Sequence, residues 1–396
     1  MPEFHPNDPL YSEQWALQRI DAEAAWRRLS EVECRPVTVA IPDWGIQQEH
    51  EDLAPEMRAG FRIIPPGDDY SDDDGHGTML AGIIGARRDN KTGVAGIVPD
   101  AKLLVIKFID ADTPPTPDAA AEAIRCAISN EAQLINASWH VSLDRDSLRD
   151  AIEQAGRRGI LVVAGAGNNG TDNTRTPFFP ASYEYDNLIS VMASEEKDDR
   201  KTGFSNYGSN VHLAAPGRRI LSTSIYRRAP VIADTLRGEY NPAYRLYDGT
   251  SSAAAFVTSA AAMLLSIDDS WKPNEIRDHL IASADECPEL YGLCQANGRL
   301  NLRRAVCGPF SIMAPNKGDH VKGGDKLEVK WSLDYDSPVV KTVEISINGL
   351  PIEREISAGA GGCVVELPRN PIPTAVLRVK CREKNLYADS DPFVIE

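Results

Sequence analysis

Three short segments of this 396-residue chain carry side chains that together would perform nucleophilic chemistry: VAIPDWGI with Asp43, DDDGHGTMLAGIIGA with His76 and YDGTSSAAAFV with Ser251. A serine hydroxyl attacks poorly until a base takes its proton, and an imidazole does this best when a carboxylate fixes its orientation. These residues supply all three groups, in the chain order Asp, His, Ser. Singly each carries little weight, because an aspartate ending a strand or a serine opening a helix is more often structural than catalytic. Ser251 has one further local advantage. It opens an alanine-rich helix, where unpaired amides and the helix dipole favour developing negative charge.

The elements that must position them follow from periodicity. Between Val37 and Val306, β-branched runs (VTVAI, LLVIKF, LINAS, ILVVA) alternate with helical stretches (HGTMLAGIIGARR, PDAAAEAIRCAIS, DSLRDAIEQAGRRG). Such alternation predicts an α/β fold, a parallel sheet with helices on both faces. In the last helical stretch Leu148, Ile152 and Ala155 share one face, and Gly159 supplies a left-handed stop. From Phe310 the texture changes to alternating runs (KLEVKWSL, TVEISING, CVVELP, AVLRVKC) between Gly, Pro and Asn turns, which predicts a small all-β sandwich of the immunoglobulin or fibronectin kind. The expected domains are therefore residues 1–309 and 310–396, joined without a low-complexity linker.

Composition narrows the function classes. With 42% hydrophobic and 25% charged residues the chain reads as globular, and its formal charge of −16 has the wrong sign for a nucleic-acid partner. The apolar stretch from Ala253 to Leu265 falls short of the roughly 20 residues of a membrane span, so no membrane partner is expected. MPEFHPNDPLYSEQW has neither a basic start nor an apolar core, which points to a cytoplasmic protein, or a secreted one if an export segment has been removed. Seven cysteines form no CxxC pair and no zinc spacing. Cys287 with Cys294, or Cys363 with Cys381, would allow a disulfide, but free thiols in a reducing compartment are expected.

Two motifs mislead. Gly165, Gly167 and Gly170 spell GxGxxG after a strand, yet the following TDNTRTPFFP has no helical period, so the dinucleotide fingerprint lacks its context. The acidic run DDYSDDDG has no glutamate where an EF-hand needs its bidentate ligand. Five of the seven residues from Asp68 to Asp74 are aspartates, and their field is expected to favour basic residues in a bound peptide and a protonated His76.

From about Asn7 to Val306 the sequence resembles the subtilisin-like serine proteases. NDPLYSEQW, AAW, the three segments above, LINAS, VVAGAGNNG, GFSNYGSNVHLAAPG and GRLN stand in the family's order. The resemblance implies a serine endopeptidase with Ser251 as nucleophile, His76 as general base and later acid, Asp43 as the orienting carboxylate, and Asn168 in AGN as a donor to the oxyanion. It implies a peptide or protein substrate lying against Ser138, Trp139, His140, Ala166 and Gly167. It also implies a structural Ca2+ held by Asp8, Asp52 and the side chain of Asn90, with the carbonyls of Arg88, Thr92 and Val94.

Departures from the pattern are local. Ser138-Trp139-His140-Val141 stands where the family has Ser-Leu-Gly-Gly, and Pro114 and Pro115 remove amide hydrogens from the opposite edge. Ser252-Ala253-Ala254-Ala255 replaces Met-Ala-Ser-Pro, and Trp44 replaces a small hydroxyl residue next to Asp43. The link from Arg218 to Asp248, with Arg227, Arg228, Arg237 and Arg245, is longer than usual. That link or the sandwich is a candidate element for binding a protein partner or controlling access. A binding or scaffold protein without turnover, and a peptide ligase or transpeptidase, are the alternatives.

Overall fold

The computed structural model describes residues 5–53, 56–63, 66–110, 114–225 and 243–396. Two helices, α1 (Trp15–Arg19) and α2 (Ala22–Ser30), precede a large sheet. Its strands are β1 (Thr38–Asp43), β2 (Met57–Ile63), β3 (Pro66–Gly67), β4 (Lys102–Lys107), β5 (Leu134–Ala137), β6 (Leu161–Gly165), β7 (Leu188–Ser194) and β8 (Leu213–Pro216). β9 (Ile220–Thr223) and β10 (Tyr244–Tyr247) pair with each other, and β11 (Asp285–Glu286) and β12 (Gly298–Arg299) complete the large sheet in the order β11-β12-β8-β7-β6-β5-β1-β4-β2-β3. From β8 to β2 every neighbouring pair is parallel, as the alternation predicts.

Helices α3 (His76–Gly85), α4 (Pro117–Ser129), α5 (Asp146–Arg157), α6 (Thr250–Ile267), α7 (Pro273–Ala282) and α8 (Leu302–Cys307) cover the sheet. Because strand side chains alternate, each central strand feeds two cores. Val39, Ile41, Leu103, Val105, Leu161 and Val163 pack with Leu80 and Ile84 of α3 and Ala254 and Val257 of α6. Ala40, Leu104, Ile106, Val162 and Ala164 pack instead with Ala120 and Ile124 of α4 and Leu148 and Ile152 of α5. Gly159 has φ +73°, the expected left-handed stop after α5. By length and composition α6 is apolar enough to cross a membrane, and it is longer than the apolar stretch apparent in the sequence. It is a core helix, buried along nearly its whole length.

The C-terminal part forms three small sheets. They are built from β13 (Phe310–Ala314), β14 (His320–Val321), β15 (Lys326–Leu333), β16 (Thr342–Ile347), β17 (Leu350–Ser357), β18 (Gly362–Glu366), β19 (Ile372–Ala375), β20 (Leu377–Cys381), β21 (Tyr387–Asp389) and β22 (Phe393–Ile395), in the orders β13-β15-β18, β14-β22-β19 and β17-β16-β20-β21. β15 shows why KLEVKWSL is a strand: Leu327, Val329 and Trp331 are buried while Lys326, Glu328 and Lys330 are exposed. These strands make the expected β-sandwich. The sandwich is fastened to the helices before it through polar contacts that are partly or fully buried. Lys384 Nζ reaches Glu275 at 2.8 Å and the Ser270 carbonyl at 3.1 Å, and Tyr335 donates to the Arg304 carbonyl at 2.6 Å. His279 Nδ1 meets Ser337 Oγ at 2.8 Å. All seven cysteines are free, so neither disulfide pairing forms.

Candidate active site

The three chemistry-bearing side chains sit at the carboxyl edge of the large sheet, where strands hand over to helices. Asp43 ends β1 and is fully buried. Its Oδ1 accepts the Trp44 amide at 2.9 Å and its backbone carbonyl accepts the Phe108 amide at 3.0 Å. His76 opens α3, and its Nδ1 lies 2.8 Å and 3.0 Å from the two Asp43 oxygens. That contact leaves Nε2 as the ring nitrogen available to a substrate or a hydroxyl. A Cβ at Gly77 would stand 2.0 Å from the Gly45 carbonyl, so only glycine lets this helix start lie against the chain leaving Asp43.

The acidic run is what holds the start of α3. Asp72 accepts the amides of Asp74, Gly75 and Thr78 and the Thr78 hydroxyl, at 3.0, 2.8, 2.9 and 2.6 Å. It satisfies orphan donors of the helix N-terminus. Lys107, almost fully buried, ties the run to the loop after Asp43: its Nζ donates to the carbonyls of Trp44 and Ser71 at 2.8 and 3.0 Å and pairs with Asp73 at 3.1 Å. Neither role was expected from the sequence. Asp followed six residues later by Thr at a helix start was the available signal for Asp72, whereas Lys107 is hidden in an apolar strand. Of the run, Asp73 is paired with a cation, Lys107, while the donors to Asp72 are neutral and leave its charge in place.

Burial disfavours the His76 imidazolium, but the carboxylates of Asp43, Asp74 and Asp72 outweigh it and hold the ring's pKa above the ordinary 6.5. Ser251 lies in the first turn of α6. Its hydroxyl donates to the Ser138 carbonyl at 3.2 Å and is not hydrogen-bonded to His76 in this structure. Ser138 returns a hydrogen bond from Oγ to the Ser251 carbonyl at 3.1 Å, and Asn136 and Thr258 extend the chain of bonds into α6. The end of β5 and the start of α6 are thus tied together by side-chain hydrogen bonds. Asn168, two residues past Gly167's strand-end neighbour Ala166, accepts from the Thr250 amide at 2.9 Å and the Thr250 hydroxyl at 3.1 Å through Oδ1. With its oxygen pinned, its NH2 is the free end, on the Ser251 side of Gly249.

Asp43, His76, Ser251, Asn168, Ser138, Trp139 and His140 line one cleft of about 270 Å³, together with Trp44, Asp74, Ile109 and Pro115. Ala166 and Gly167 do not line it. Ala166 is buried, with its carbonyl accepting from Asn173 and Asn206, and the Gly167 amide donates to Thr250 Oγ1 at 3.1 Å. Pro115 faces the cleft as part of the edge marked by its missing amide. Of the link from Arg218 to Asp248, residues 226–242, including Arg227, Arg228 and Arg237, lie outside the described residues, and Arg245 belongs to β10.

Away from the cleft, Asp8 and Asp52 come together beneath the loop 88–94. Asp8 accepts the amides of Asp89 and Asn90 at 2.9 and 3.4 Å. Asp52 accepts the Asn90 side-chain amide at 2.6 Å and the Val94 amide at 2.9 Å, and Asn90 Oδ1 accepts the Thr92 amide at 2.7 Å. The Arg88 guanidinium lies over the Trp26 ring, 4.4 Å from its centre. Burial pushes Asp8 upward, with the Asp89 carboxylate adding to the shift, and pushes Asp52 up to about 6, with the Asp8 carboxylate adding to it. Among the described residues no three His, Cys, Asp or Glu side chains converge as a metal site. An ion here would draw most of its ligands from amide and backbone oxygens, which suits a hard cation such as Ca2+ and no thiophilic metal.

The model of the subtilase family matches residues 35–308. Thermitase of Thermoactinomyces vulgaris is 35% identical over 304 residues, covering 76% of this chain and 99% of that protein. A thermophilic serine proteinase of Bacillus sp. strain AK1 is 33% identical over 302 residues, covering 76% and 69%. Among solved structures, a chain described as proteases from Pseudoalteromonas arctica PAMC 21717 superposes with a TM-score of 0.64 at 25% identity, covering 76% of this chain and 98% of that one.

Proposed function

Because this chain belongs to the subtilase family and is a subtilisin-like serine endopeptidase, acting on peptides or proteins, we propose that it hydrolyses peptide bonds through an acyl-enzyme on Ser251. His76 takes the Ser251 proton at Nε2 as Oγ bonds to the scissile carbonyl carbon. Asp43 holds the ring through Nδ1 and stabilises the imidazolium that forms. The oxyanion meets the Asn168 NH2 and the amides at the start of α6. His76 then gives its proton to the departing amine, the C–N bond breaks, and a water deacylates the serine by the same two steps in reverse.

The single observation that carries this proposal is the convergence of the Asp43–His76 pair, Ser251 and the Asn168 amide on one cleft. No feature of the site specifically favours a scaffold without turnover or a ligase. Asp8, Asp52 and Asn90, with the carbonyls of Arg88, Thr92 and Val94, would hold a Ca2+ that ties the N-terminal segment to the domain; the pair of buried carboxylates supports this. The test is hydrolysis of unfolded casein by the purified chain and its Ser251→Ala variant. New amino termini formed by the first and not by the second are expected, and equal cleavage by both would refute the proposal.

A further inference from the structure

On one side of Ser251 the space between the ends of two strands is occupied by this chain's own residues. Ser138, just past β5, is bonded twice to Ser251, and Gly167 and Asn168, just past β6, are bonded to Thr250. β5 and β6 are neighbours in the sheet. A scissile carbonyl seated between Ser251 and the Asn168 amide must therefore direct the side chain on its acyl side into the gap between these two strand ends. In that gap the His140 ring stacks on Phe178, with centroids 4.4 Å apart and planes 22° apart. Phe178 in turn lies on Gly167, where a Cβ would come within 2.9 Å of its ring. The two segments are clasped as well as stacked. Val141 and Phe179 form an antiparallel bridge, with the Val141 amide donating to the Phe179 carbonyl at 3.0 Å, and the Phe178 amide donates to Ser182 Oγ at 2.8 Å. Ala166 and Gly167 are absent from the cleft lining, in keeping with a filled gap.

We infer that the His140–Phe178 stack closes the slot for the substrate residue that donates the scissile carbonyl, making these two residues determinants of specificity for glycine, alanine or serine there. This rests on Ser251 being the nucleophile. A larger side chain would have to break the stack and enter space already filled, a penalty that corresponds to roughly tenfold or more in rate. His140 is exposed and free to be shortened, whereas Phe178 is partly buried.

The experiment uses the full chain and two tripeptidyl diphenyl phosphonates that differ only in the residue bearing phosphorus, alanine-like or phenylalanine-like. Each reacts by forming a Ser251 Oγ–P bond and releasing phenol, so one modification is read without turnover. The alanine analogue is expected to inactivate at least about tenfold faster, and His140→Gly and Phe178→Gly are each expected to shrink that ratio at least about fivefold. A small fluorophosphonate without a peptide serves as reference. If it fails to label Ser251, the catalytic reading falls and this inference with it. If it labels Ser251 but the parent prefers the phenylalanine analogue, or both variants keep the parent's ratio, the inference alone is overturned. Should Phe178→Gly fail to fold, His140→Gly decides.

Discussion

Replacing Asn168 separates two roles that the structure gives to one side chain. Its Oδ1 accepts from the Thr250 amide and hydroxyl, and its NH2 is left for the oxyanion. Asn168→Ala removes both functions. Loss of one preorganised donor to a developing oxyanion lowers turnover about 10²- to 10³-fold, and loss of the acceptor at the start of α6 costs about 1 kcal/mol of stability, a fall of about 2 °C in Tm for a chain this size. Asn168→Asp keeps an acceptor for Thr250 but puts a carboxylate oxygen where the donor stood. It should therefore retain more of the parent's Tm than the alanine variant while losing at least as much turnover. Steady-state hydrolysis of a small ester, with melting followed in parallel, reads both quantities, and KM should change less than kcat. An Asn168→Asp enzyme within tenfold of the parent rate would show that the NH2 does not meet the oxyanion.

Four further outcomes follow from the same geometry. The acidic limb of kcat/KM should lie above pH 6.5, since the base form of His76 appears only as pH rises through its raised pKa, and Asp74→Asn should move that limb downward; a limb unmoved by the substitution would remove Asp74 from the account. The same shift means that the His76–Asp43 ion pair stabilises the fold fully below the unfolded value of about 6.5 and loses that contribution as pH rises through the higher folded value. Chelation should lower Tm by several degrees and added Ca2+ should restore it, as expected for a ligand bound only by the folded state, whereas melting indifferent to both would exclude the proposed ion. Lys384→Met should destabilise the chain by about 1–3 kcal/mol, measured by denaturant unfolding, because the buried end of Lys384 satisfies Glu275 and Ser270; an unchanged midpoint would mean that the sandwich is held by its other contacts.

Most of the large sheet and its helices could be read from local pattern. The alternation of buried strands with amphipathic helices is a short-range signal, and α5, with Leu148, Ile152 and Ala155 on one face, carries it plainly. Asp43, His76 and Ser251 stood out as candidates through the joint order of their three segments and the resemblance they carry, not through any one position, and the structure brings them to one cleft. What escaped depends on residues distant in the chain. Lys107 looks like one polar member of an apolar strand until the carbonyls of Trp44 and Ser71 surround its ammonium. The stacking of His140 on Phe178 joins a residue just past β5 to one in the loop between β6 and β7, so neither the glycine replacement at position 140 nor the aromatic pair at 178 and 179 revealed the contact on its own. The acidic run was legible as a source of charge beside His76, but not as a helix cap: that Asp72 accepts the Thr78 amide depends on the fold of the loop before it.

The most direct measurement is to react the purified chain with a small fluorophosphonate, digest it, and locate the adduct by mass spectrometry, with His76→Ala beside the parent. Stoichiometric labelling at Ser251, slowed by orders of magnitude when His76 is lost, is the predicted result. Labelling at another serine, or at Ser251 with the same rate in both proteins, would contradict an activated Ser251 and with it the proposed mechanism.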